Sequence, residues 1–111
     1  MLAAQLPWLY LFAAGLFEIA WAVSMKYSNG LTRPLPTVLT FGFGLVSFYL
    51  LSLATKNLPI GTSYAVWTGI GAVGTAILGI ALFSESYHWL RLASILLVVG
   101  GILGLHLTAA S

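Results

Sequence analysis

Three long stretches of this chain, residues 34–55, 57–84 and 92–111, contain no charged residue at all. Each can supply the roughly 20 apolar residues that a bilayer-spanning helix needs. A fourth apolar stretch surrounds Glu18. Charged residues make up 5% of the 111 residues and hydrophobic ones 60%, whereas a soluble domain of this size carries about 25% charged residues. The mean hydropathy is +1.04. The predicted fold class is therefore all-α integral membrane. Its helices are expected at about residues 8–25, 37–54, 62–83 and 89–108, making one four-helix transmembrane domain over residues 1–111.

The same composition excludes much. The chain has no cysteine, so disulfides and thiolate metal sites are ruled out. His88 and His106 are too far apart to form a local metal motif, and no Walker, GxSxG, HExxH or paired-carboxylate pattern is present. An enzyme is not expected, nor a cofactor or metal. A net charge of +2, scattered along the chain, does not suggest nucleic acid. No basic residue precedes the first span and no small-residue cleavage site follows it, which argues against a cleaved signal peptide.

Only two acids exist, Glu18 and Glu85. Glu85 lies in a polar patch between apolar runs. Glu18 lies near the middle of the first span, where a carboxylate is costly and marks a functional site by default. A wet helix surface at Glu18 fits poorly, because its neighbours are apolar on every helical face. Ala14, Gly15, Trp21 and Ala22 share its face. The small ones let a backbone or ligand approach, and Trp21 offers a flat wall.

Pro7 suits the start of the first helix, where its missing N–H would be unpaired anyway. Ser28-Asn29-Gly30 reads as a turn, and Pro34 and Pro36 are expected outside the second span. Thr40, Ser47 and Ser52 lie within that span. Such hydroxyls commonly bond back to their own helix; for Ser47 a role beside Glu18 is an equal alternative. The short connection through Lys56 and Pro59 predicts that spans two and three are antiparallel neighbours.

In the third span Tyr64, Trp67, Thr68 and Gly71 form one stripe, which either packs or meets a ligand. Gly71, Thr75 and Gly79 recur every four residues, a spacing that allows close helix contact. Gly69 and Gly71 weaken the helix and permit a bend. In the last span Gly100 and Gly104 fit a packing face rather than a ligand site. Glu85 and Arg91 read as interfacial charges, and the aromatic Tyr87-His88-Trp89 loop suggests no chemistry.

The run Gly15-Leu16-Phe17-Glu18-Ile19-Ala20-Trp21-Ala22, the loop from Lys26 to Arg33, and Tyr64-Ala65-Val66-Trp67-Thr68-Gly69-Ile70-Gly71 together resemble the small multidrug resistance family. The resemblance covers nearly the whole chain. Trp21 and Ser47 are similar to its guanidinium-exporting branch rather than its quaternary-ammonium branch. The resemblance implies an antiparallel, dual-topology homodimer in a bacterial inner membrane, with fourth-helix contacts between subunits. It implies export of guanidinium, or small substituted guanidiniums, against protons. By position, Glu18 would bind proton or substrate, Trp21 and Ser47 would hydrogen-bond and brace Glu18, Tyr64 would lie between the paired glutamates, and Trp67 would line the site. His106 departs from the basic, lysine-like end expected of the last helix.

Elementary chemistry agrees with that expectation. A carboxylate can bind planar guanidinium through two parallel hydrogen bonds. Two ionised Glu18 side chains facing each other repel, which favours a proton or a cation between them. Two alternatives remain: an exporter of quaternary ammonium cations, and a non-transporting membrane assembly subunit using only its glycine faces. A channel is disfavoured by the lack of a filter-like carbonyl loop.

Orientation follows from the loops. Lys26, Arg33 and Arg91 fall on one side and Lys56 on the other, a weak bias by the rule that the richer side is cytoplasmic. Both orientations should therefore be populated. Cysteine labelling at Ser111 from each side of intact cells should succeed from both; labelling from one side alone would contradict dual insertion.

Overall fold

The computed structural model describes residues 2–108, so the labelling position at Ser111 lies outside the described residues. Four helices follow one another: α1 (Leu2–Tyr27), α2 (Pro34–Ala54), α3 (Ile60–Phe83) and α4 (Trp89–Thr108). Each contains a segment long and apolar enough to cross a membrane.

The helix starts depart from expectation where proline is involved. Pro7 lies inside α1, not at its beginning. It removes one backbone bond close to the helix end, where the remaining turns still hold. Pro34 and Pro36, expected outside the second span, form part of the first turn of α2. N–H groups in a first turn have no partner within the helix, so proline costs little there. Arg33, just before, is extended with φ −92° and ψ 123°, as a residue preceding proline prefers.

The loops close through local bonds. The buried Ser28 hydroxyl donates to the Met25 carbonyl at 2.6 Å and accepts from the Leu31 N–H at 3.0 Å. Asn29, Gly30 and Leu31 all have positive φ, so the turn foreseen at Ser28–Gly30 runs one residue further. Ser84 ends α3 in the left-handed region, and the Glu85 N–H reaches back to the Gly79 carbonyl at 3.2 Å. His88 has a structural task. Its Nδ1 accepts from the Leu90 N–H at 3.2 Å and caps α4, satisfying a donor that the helix start leaves open. Arg91 then pairs with Glu85 at 2.7 Å across the same connection.

Packing is uneven. α1 lies against both α2 and α3, whereas the α2 and α3 backbones come close at few points. The two are neighbours through their side chains: the Trp67 indole N–H donates to Ser47, and the Trp67 and Phe48 ring centroids are 5.5 Å apart. Close approach of α1 and α3 depends on Gly15, since a β-carbon there would stand 2.5 Å from the Ile70 side chain. α4 packs along α3, with Ile102 and Val98 over Gly69. At its end His106 meets the Trp8 ring edge-on at 4.5 Å. α4 has no buried residue, and β-carbons at Gly100 and Gly104 would meet open space.

Gly15→Ala should cost about 1–3 kcal/mol through overpacking against Ile70. Gly42→Ala, where nothing lies within 4 Å, should be near neutral. Unfolding of the purified protein in detergent checks this; equal losses would contradict the close approach of α1 and α3 at Gly15.

Candidate functional site

The gap between α2 and α3, floored by α1, holds a cavity of about 220 Å³. Glu18 and Trp21 come from α1, Gly44, Ser47 and Phe48 from α2, and Tyr64, Trp67 and Thr68 from α3. All five side chains singled out from the sequence as site residues line this one space.

Glu18 is the chemical centre. Its Oε1 is buried and has no hydrogen-bond partner. The carboxylate lies on Gly71, where a β-carbon would collide with Oε1 and stand 2.5 Å from the carboxyl carbon. Gly71 therefore makes room for Glu18. Gly69, two residues earlier, faces the other way and seats α4. α3 stays helical through both glycines. Their use is in packing: one clears space for the carboxylate, the other for Ile102.

Ser47 is bound differently from expectation. Its hydroxyl donates to the Ala14 carbonyl at 2.7 Å and accepts from the Trp67 indole N–H at 2.9 Å. It does not donate to Glu18, because its one proton is already committed. By contrast Thr40 and Ser52 bond back to Pro36 and Tyr49 of their own helix, at 2.7 and 2.6 Å. Ser47 thus ties all three helices together through one oxygen. Trp21 makes no hydrogen bond to Glu18 either. Its indole lies over Gly44, where a β-carbon would be 2.9 Å from Cδ1, and it walls the cavity.

The aromatic rings form a connected wall. Trp67 is buried, with Tyr64 at 5.6 Å and Phe48 at 5.5 Å between ring centroids, both tilted. Tyr64 is 59% exposed and stands at the mouth. The result is an unpaired carboxyl group in a small apolar space faced by π systems. Such a space favours a cation small enough to reach the carboxylate, since aromatic faces attract positive charge. Gly44 and Phe48 are cavity-lining positions that the sequence reading passed over. They lie three residues before and one after Ser47, so the helical spacing of Gly44, Ser47 and Phe48 was the available signal. The Ala14 carbonyl carried none.

The sequence pattern of the Small Multidrug Resistance protein family matches residues 6–98. A protein of Proteus vulgaris named "Guanidinium exporter" is 53% identical over 104 residues, covering 94% of this chain and all of that protein. One of the same name from Escherichia coli (strain K12) is 53% identical over 103 residues, covering 93% of this chain and 98% of its own length. Another from Salmonella typhimurium is 51% identical over 104 residues, covering 94% of this chain and 99% of its own length.

Ser47→Ala should lower stability by roughly 1–3 kcal/mol, because it leaves the Trp67 N–H without its acceptor in a buried site. Ser52→Ala should cost less than about 0.5 kcal/mol, as surface changes usually do. Ser47→Ala combined with Trp67→Phe should be clearly less than additive. Detergent unfolding of the unaltered protein, the three single variants and the double variant reads this out, and strict additivity would show that the pair does not act together.

Proposed function

The chain belongs to the small multidrug resistance family, and from that premise we propose that it exports guanidinium in exchange for protons as an antiparallel homodimer of a bacterial inner membrane. It is a multi-pass membrane transporter of small molecules, not an enzyme. The proposal adds the substrate, the coupling ion and the assembly.

The observation that carries this reading is the unpaired Glu18 carboxyl group in the α2–α3 gap. Guanidinium presents N–H donors in one plane, and a carboxylate can accept two of them side by side. Trp21, Tyr64 and Trp67 supply aromatic surface around it. A proton on the carboxyl group removes the charge that holds the cation. Proton and cation therefore exclude each other, and inward movement of one drives outward movement of the other.

One chain offers a single intramembrane acid and no internal repeat. Two copies in opposite orientation would create the inverted symmetry on which alternating access rests. The open glycine face of α4 at Gly100 and Gly104 supports its use as the contact between them. The names of the relatives favour guanidinium over quaternary ammonium ions. The site supports the same choice, because the carboxylate rather than the aromatic wall is the unsatisfied group.

Glu18→Gln should abolish guanidinium-driven proton flux in proteoliposomes while leaving the oligomer intact. Guanidinium affinity of the unaltered protein should fall as pH falls, since protonation of Glu18 removes the binding charge. Flux that survives Glu18→Gln, or affinity independent of pH, would overturn the shared-site reading.

A further inference from the structure

A second, larger cavity of about 500 Å³ lies between α1 and α3, away from the Glu18 site. Its mouth is formed where α1 ends and α4 begins, by Lys26, Glu85 and Arg91. Below the mouth the walls are mainly small and apolar, with Ala22, Val23, Ala72 and Ala76 beside the hydroxyl of Thr75. A narrower cavity of about 280 Å³ continues between α3 and α4, and shares Ala72, Ala76 and Arg91 with the first. Along α3, Ala72 to Phe83 spans about 16 Å at the helical rise. The two branches therefore reach from headgroup level deep into the hydrocarbon layer.

The charges at the mouth are two cations and one acid. Glu85 is engaged by the Arg91 Nη2 at 2.7 Å, and its carboxylate rests on Gly79. The Arg91 Nε is buried with no hydrogen-bond acceptor. Lys26 has no carboxylate partner among the described residues; its Nζ stands 5.9 Å from the centre of the Phe83 ring. One positive charge and one unpaired Arg91 donor are thus left over beside a forked apolar groove.

We propose that this groove is a binding site for an anionic phospholipid, with acyl chains in the two branches and the phosphate held by Lys26 and Arg91. A water-soluble anion would find polar partners only at the rim. A phospholipid satisfies the rim and the groove together. A second copy of this chain would have to bring a free acid to the mouth, but its own Glu85 is already engaged by Arg91 and its Glu18 lies inside a span. The inference is independent of what the Glu18 site transports.

Native mass spectrometry of the purified protein with equal phosphatidylglycerol and phosphatidylcholine tests it. Phosphatidylglycerol should be retained preferentially. Lys26→Gln should reduce that preference about fivefold, the factor one basic side chain is worth beside an anionic headgroup. Ala76→Phe, which fills the fork, should reduce retention of both lipids, with helicity by circular dichroism showing that the protein remains folded. Equal retention of the two lipids by the unaltered protein would overturn the site, as would unchanged selectivity in Lys26→Gln. Loss of the dimer mass in Ala76→Phe with lipid retention unchanged would assign the groove to a second copy instead.

Discussion

An acid group inside a membrane-length helix, with a buried oxygen that nothing hydrogen-bonds, is the constraint on which this structure depends. A buried carboxylate without a partner is strongly disfavoured. The surrounding residues do not relieve it. Ser47 gives its proton to the Ala14 carbonyl, and Trp21 lies against Gly44. Gly71 provides space but no donor. In the proposed mechanism Glu18 is left to be satisfied by something that arrives, either a proton or a cation. A donor fixed beside it would compete with both.

The sparse backbone contact between α2 and α3 suits the same need. If α2 and α3 packed closely, the gap containing Glu18 would close. Gly15 draws α1 onto α3, and the Ser47 hydroxyl joins α1, α2 and Trp67 of α3. The three helices are thus held together around an open space. α4 takes no part in the Glu18 cavity and leaves its glycines uncovered. That division of labour suits the proposed dimer, in which each subunit builds its site from three helices and would pair through the fourth.

Much of this was legible in the sequence, for identifiable reasons. The spans are read from charge-free runs, because one charge in hydrocarbon outweighs any local propensity. Glu18 stands out by the same logic, and Tyr64, Trp67 and Gly71 by their shared helical stripe. The helix starts at Pro7 and Pro34 were misjudged because proline marks a first turn without fixing how far the chain extends before it. Loop length placed α2 beside α3 but could not show that their contact rests on side chains, Trp67 on Ser47 and Phe48, more than on close backbones. The partners of Ser47 were hidden since one of them is a backbone carbonyl, present at every position. His88 gave no sign of capping α4, because histidine is not among the residues that usually cap helices.

The central claim is that proton and cation share Glu18, and proton release on binding tests it most directly. Guanidinium would be added to purified protein in weakly buffered detergent solution, and the protons released per bound cation followed over a range of pH. The account predicts release at acidic pH that fades as pH rises, where Glu18 is already ionised. Binding without proton release at any pH would contradict it.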